Sequence, residues 1–417
     1  MNSVPERPLK ICLISYRSNP HCGGQGVYIR NLSRALKDLG HDVDVIAGPP
    51  DPLLHDDISI TKITTLDLYN PNDLFRTPSF EELKQPINFM EWLGISTMGY
   101  SEPFSFGLRA YVHLRDKFDK YDIVHDNQCL SYGIWAISRR IPTVATIHHP
   151  MTVDRKLAVQ SVSSIWKKFK HIRWYSFIGM QKRVSRRLPK IITVSEFSRD
   201  DISRAYRIPK NKFDVVPNGI NTELFYPLPH IPREPGRIIV TNSADTALKG
   251  LYYLLQAVEM VSKKRKVKLI VIGTPKKDGG IVKLIKTLKI AHLVRFTGRI
   301  SNEEFVREYA KASMAVVPSL YEGFGLPVGE AMACAVPVIT TTGGALPEVA
   351  GDAAEIVPPA DPEAIADAII RLMDDPKRAK ALGEAGYRRV IENFTWKKAA
   401  ENVVKTYREV MSDYGRV

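Results

Sequence analysis

Short apolar runs alternate with helical periodicity along most of this chain. Ile11-Cys12-Leu13-Ile14 has the character of a buried strand, and Val27, Leu32, Leu36 and Leu39 then recur on one helical face. Gly23-Gly24-Gln25-Gly26 separates the two, Gly40 stops the helix, and Val43 to Ala47 forms the next strand. This is a βαβ unit, which predicts a parallel sheet with right-handed crossovers.

Further buried-strand runs occur at Ile123-Val124, Thr143 to Ile147 and Ile191 to Val194. A second series comprises Ile238-Ile239-Val240, Leu269 to Ile272, Ala315-Val316-Val317 and Val336 to Ile339. Helical patterns such as Leu251 to Val261 and Glu303 to Ala312 lie between them. Two successive series predict two doubly wound α/β domains, 1–215 and 216–395. The join is marked by Val216-Pro217-Asn218-Gly219 and by Pro227, Pro229, Pro232 and Pro235. In such an architecture a ligand is expected in a crevice at the carboxyl ends of the strands.

Residues 65–118 do not follow the alternation. They are rich in aromatics, among them Tyr69, Phe75, Phe89, Trp92 and Phe106, and are punctuated by Pro71, Pro78, Pro86 and Pro103. A long irregular segment suits either an acceptor-side lid or wall, or a locally packed insertion.

With 44% hydrophobic and 25% charged residues in 417, the chain reads as a globular protein of two or three domains. The net charge of +14 points to nucleic acid, an anionic membrane surface, a phosphorylated substrate or a generally basic surface. Cys12, Cys22, Cys129 and Cys334 are scattered, without zinc-ligand spacing or a disulfide framework. No signal peptide and no apolar stretch of about eighteen residues is found, so a cytoplasmic location is expected.

The most informative stretch runs from Pro318 to Glu348. Glu322 and Glu330 stand with seven residues between them, around Gly323-Phe324-Gly325-Leu326-Pro327, and Gly343-Gly344 follows. A glycine loop opening a helix presents backbone N–H groups, reinforced by the helix dipole, to an anion. A carboxylate one turn into the helix, at Glu330, can accept two hydroxyl hydrogen bonds from a ribose. The stretch resembles the nucleotide-sugar site of the retaining GT-B glycosyltransferases of family 4. The resemblance implies that Glu330 binds the donor ribose and that Glu322 accepts from hydroxyls of the donor sugar. It also implies donor contacts for Gly323, Phe324, Gly325 and Leu326; Arg299, a basic side chain that could meet diphosphate charge, and Ile300 beside it are further donor-binding candidates.

Lys249-Gly250, before the amphipathic run Leu251, Leu254, Leu255 and Val258, resembles the family's diphosphate-binding segment. There the family has an arginine as well as the lysine; here Ser243-Ala244-Asp245 stands in the arginine's place. Gly23 and Gly24 resemble the glycine pair that approaches the donor phosphates from the first domain. His148, in Thr146-Ile147-His148-His149, matches a histidine beside the transferred sugar. Adjacent strand residues point to opposite faces, so His148 and His149 are not expected to chelate a metal together. Phe394-Thr395-Trp396 and the helix after it resemble a terminal helix, 396–417, that returns to the first domain.

The implied activity is transfer of a hexose-type sugar from a nucleotide diphosphate to an acceptor with retention, with Lys249, Glu322 and His148 as catalytic residues. The route is a front-face reaction through an oxocarbenium-like state, with no metal and no cofactor beyond the co-substrate. A binding protein of the same fold without turnover is the alternative; a phosphorylase would need a pyridoxal phosphate lysine, and no segment resembles one. From Trp166 to Lys190 basic residues are interleaved with aromatics. That stretch suits a core-packed helix with a basic outer face or an interfacial helix on anionic lipid, with a lipid acceptor, and less well nucleic acid.

Overall fold

The computed structural model describes residues 7–18, 24–68, 70, 73, 76–241 and 246–415. The chain divides into two compact units, the first made of 1–194, 198–216 and 399–417, the second of 195–197 and 217–398.

The first unit is built on a seven-stranded sheet. In chain order its strands are β1 (Lys10–Ser15), β2 (Asp42–Ala47), β3 (Ser59–Lys62), β4 (Ile123–Asn127), β5 (Thr143–Ile147), β6 (Ile191–Thr193) and β7 (Phe213–Val215). Their spatial order is β3-β2-β1-β4-β5-β6-β7, and every pairing is parallel. β1, β4 and β5 are buried on both faces, as expected of central parallel strands, although β4 carries apolar side chains only at Ile123 and Val124. The strand order reverses where β1 lies beside β4, which is where a doubly wound sheet opens a crevice.

The second unit has β8 (Glu234–Thr241), β9 (Lys268–Ile272), β10 (Val294–Phe296), β11 (Ala312–Val317), β12 (Val338–Thr341) and β13 (Ala354–Val357). These six lie in the order β10-β9-β8-β11-β12-β13, again all parallel, and the reversal falls between β8 and β11. Helix Leu251–Ser262 buries Leu251, Leu254, Leu255, Val258 and Val261 against this sheet. Each such side chain contributes about 1.5–3 kcal/mol by leaving water.

The segment 65–118 is more regular than its prolines suggest. It contains helices Phe80–Leu83, Pro86–Ser96 and Glu102–Leu114. Pro86 and Pro103 sit in the first helical turns, where a missing N–H costs nothing, so they begin helices rather than break them. Phe106, Ala110 and Leu114 join the core around Cys12, Ile14 and Val124. Arg109 pairs with Glu91 at 2.6 Å, and Arg17 with Glu102 at 3.0 Å. The later part of this segment is therefore the crossover helix between β3 and β4, not an irregular lid.

Candidate functional site

In the second unit the loops after β8 and β11, the pair at the topological reversal, are locked together. The turn Ala247–Lys249 accepts a hydrogen bond at the Leu248 carbonyl from the Leu320 N–H (2.8 Å). Gly250, at φ +68°, passes so close to Pro318 that an added Cβ would lie 1.9 Å from its carbonyl oxygen. Only glycine fits there, both for its backbone angle and for that approach. The Lys249 ammonium consequently reaches the Glu322 carboxylate at 2.7 Å, and the Ser319 hydroxyl donates to the same Oε1 at 2.8 Å.

The Glu322 loop is held from behind. Gly344, at φ +72°, runs against it with room for no side chain, since a Cβ would meet the Glu322 carbonyl at 2.2 Å. The Ala345 N–H donates to that carbonyl, and the Ser195 hydroxyl to the Gly323 carbonyl (2.7 Å). The buried Phe324 ring packs edge-on against Phe394, so any ligand contact of Phe324 falls to its backbone. Gly325 then caps helix Leu326–Ala333, whose first-turn N–H groups face the loop end.

Glu330 lies in that helix, partly buried. Burial pushes its carboxyl up to about 7, while the Lys249 charge pulls in the opposite direction. Lys249, Ser319, Glu322 and Glu330 therefore form one electrostatic group. Arg299 and Ile300 follow the edge strand β10; Arg299 is exposed and makes no ion pair among the described residues. Gly23 and Ser243-Ala244-Asp245 lie outside the described residues, so the expected glycine pair is represented by Gly24 alone. Gly24 opens helix Gly24–Asp38, and a Cβ added to it would meet nothing within 4 Å.

The first unit gathers a second set of polar groups at its own reversal. His148 follows β5 directly, and its Nε2 lies 2.8 Å from Asn127 Oδ1. The Asn127 amide nitrogen donates to Ser15 Oγ (3.1 Å) and to the Gln25 carbonyl (3.3 Å). A carbonyl can only accept, so this amide orientation is set, and Oδ1 must face the histidine. Nε2 then carries the imidazole proton and Nδ1 is left as an acceptor. Burial, with His149 and His125 adding to it, pushes the His148 imidazole down to about 3, so it is neutral at physiological pH.

The Gln128 side chain accepts from the His148 N–H (2.8 Å) and donates to the His149 carbonyl (3.1 Å), clamping the strand end. His149 turns instead to Asp154 (3.0 Å), and among the described residues no group of three or more His, Cys, Asp or Glu could hold a metal ion. Ser319, Asn127, Gln128, Tyr28 and Thr146 are absent from the sequence-based candidates. The run His125-Asp126-Asn127-Gln128, four polar residues closing an apolar strand, was the available signal for two of them.

Residues 22–224 match the family model described as Glycosyltransferase Family 4, and residues 229–389 that described as Glycosyl transferases group 1. The MMP α-(1→4)-mannosyltransferase of Mycolicibacterium hassiacum is 42% identical over 409 residues, spanning 97% of this chain and 99% of that protein. Among solved structures, a sucrose-phosphate synthase from Thermosynechococcus elongatus superposes with a TM-score of 0.74 at 24% identity, covering 97% of this chain and 100% of that one. Anabaena Alr3699/HepE, in complex with UDP and glucose, gives 0.69 at 15% identity, covering 96% of this chain and 100% of that one.

Proposed function

The chain belongs to the family 4 glycosyltransferases of GT-B fold, and from that premise we propose that it transfers a hexose from a nucleotide-diphosphate sugar with retention of anomeric configuration. The observation that carries this reading is the Lys249–Glu322–Ser319 group beside the N-terminus of the helix bearing Glu330. Lys249 and the first-turn N–H groups would meet the diphosphate charge. Glu330 would accept from the ribose hydroxyls, and Glu322, exchanging Lys249 for the donor, from hydroxyls of the sugar. Relatives of this chain include a mannosyltransferase, and a protein of the same fold has been solved with UDP and glucose.

In the proposed step the bond from the anomeric carbon to the leaving phosphate oxygen breaks while the acceptor oxygen bonds to the same face of that carbon. The acceptor's hydroxyl proton passes to the leaving phosphate. The protein supplies positioning and charge, with no resident metal or cofactor. His148 Nδ1, a bare acceptor on a neutral ring, would orient a sugar hydroxyl. Nucleoside diphosphate release, measured with UDP-, GDP- and ADP-hexoses and candidate acceptors, tests the reading. Tight donor binding without release under any acceptor would point to a binding protein instead.

The acceptor side carries a separate observation. Helix Ile165–Trp174 is not packed into the core: Ile165 is 85% exposed, Trp166 60%, Phe169 49% and Ile172 52%. These four share one outward stripe, with Lys168 and Lys170 on its two sides, while Trp174, on the opposite side of the helix, stacks on Tyr100. Such a stripe suits an anionic bilayer surface, with each cation contributing about 1 kcal/mol. Among the described residues no helix is long and apolar enough to cross a membrane. The helix would therefore lie on the surface and bring the chain to a lipid-linked acceptor. Flotation with phosphatidylglycerol vesicles tests this: Trp166→Ser with Phe169→Ser should abolish co-flotation, and no flotation of the unaltered protein would remove the membrane reading.

A further inference from the structure

Behind His148 lies a chain of polar groups that the transfer reaction, as described above, does not use. The Tyr407 hydroxyl, on helix Trp396–Asp413, is 2.6 Å from His125 Nδ1. His125 Nε2 is 2.7 Å from Thr146 Oγ1, and Thr146 Oγ1 is 2.9 Å from the Tyr28 hydroxyl. All four residues are buried and belong to the first unit. Burial pushes the His125 imidazole down to about 3, so the ring is neutral, with one nitrogen donating and the other accepting. A neutral imidazole holds a single ring proton, so the bonds at His125 Nδ1 and Nε2 run in the same direction through the ring.

The chain ends on His148 through Tyr28. The Tyr28 ring meets the His148 ring edge-on, with centroids 4.8 Å apart and planes at 81°. Tyr28 and Gln25 share one helix, and the Gln25 carbonyl receives the amide of Asn127, whose oxygen in turn holds His148 Nε2. His148, Asn127, Gln25 and Tyr28 thus close a ring of contacts. The imidazole is constrained in its plane by Asn127 and on one side by Tyr28. The hydroxyl of Tyr28, through Thr146 and His125, is anchored to Tyr407.

We infer that Tyr407, His125 and Thr146 are positioning residues for His148, so that the C-terminal helix sets the orientation of the imidazole at the carboxyl end of β5. The inference rests on the role proposed for His148, and extends it to residues remote in sequence. Removing the Tyr407 hydroxyl leaves a buried imidazole nitrogen without its partner. The chain must then reorganise toward Tyr28, and the histidine loses one of its two restraints.

Two variants and two readouts test it. Tyr407→Phe and Thr146→Val keep ring or methyl volume and remove only hydrogen bonds. Each should lower kcat by about tenfold while leaving the donor KM unchanged, because a misplaced group costs rate rather than ground-state affinity. In ¹H–¹⁵N spectra of the donor-free protein, the His148 ring resonances should move in both variants. Those spectra do not depend on turnover, so they report on the coupling even if no donor and acceptor pair is found. Folded variants with unmoved His148 resonances would overturn the inference. Moved resonances with unaltered kcat would likewise overturn its positioning role.

Discussion

Replacing Glu330 by glutamine separates a donor-binding residue from a structural one through the sign of two effects. In the free protein, desolvation holds the carboxyl at about 7, against 4.5 for an unperturbed glutamate. Below pH 4.5 both folded and unfolded chains hold the proton, and the site adds nothing to the pH dependence. Between 4.5 and 7 the folded chain binds more protons, so this group's contribution to stability falls as pH rises. Above 7 the loss is complete, at most about 3 kcal/mol for a displacement of this size. Glutamine carries no charge to desolvate, so Glu330→Gln should raise Tm near pH 8 and change it little near pH 4.5. Donor affinity should move the other way. A hydrogen bond to a charged acceptor contributes about 1.5–3 kcal/mol, so Kd should rise about 10- to 150-fold. Titration calorimetry with a nucleotide-sugar supplies the assay. Wild-type affinity should fall as pH drops from 8 to 6, because protonation removes the acceptor, whereas the variant should be flat. A variant with wild-type affinity near pH 8 would remove the ribose assignment, and a lowered Tm there would refute the burial argument.

His148→Ala should cut kcat far more than donor affinity, by about a hundredfold if the imidazole orients a reacting group; a fully active variant would sink its role. Lys249→Ala should weaken a nucleoside diphosphate by about tenfold or more but leave the parent nucleoside unaffected, since only the phosphate charge is lost. Equal loss for both ligands, measured by thermal stabilisation, would mean that the lysine merely braces the Glu322 loop. Ser319→Ala should weaken the sugar-bearing donor more than the bare diphosphate, because the hydroxyl holds Glu322 Oε1; equal effects would contradict that placement.

Much of the architecture could be read from the residues in order. Runs such as Thr143 to Ile147 are apolar because parallel strands are covered on both faces, and the structure places β5 over that same range. The short strands Ser59–Lys62 and Val294–Phe296 escaped notice because they lie at sheet edges, are only partly buried, and lack the apolar signal. The prolines of the 65–118 segment misled for a local reason: a proline at a helix start and one in a loop look alike until the backbone partner is known. The basic stretch from Trp166 to Lys190 held two kinds of helix. Ile178, Met180 and Val184 are buried in the second, whereas the aromatic stripe of the first is exposed. Periodicity finds an apolar face but does not say what covers it.

By itself the sequence determined the two parallel-sheet units, the glycine-lined loop between Glu322 and Glu330, and the pairing of chemistry with strand ends. Local steric and hydrogen-bonding rules act over a few residues, and these features are local. Only the tertiary structure decided that Glu322 is held by Lys249 and Ser319, that Asn127 sets the proton on His148, and that Tyr407 reaches the same strand ends through His125. Those contacts join residues far apart in the chain, and their orientation depends on which buried donors and acceptors remain to be matched after the sheets have formed.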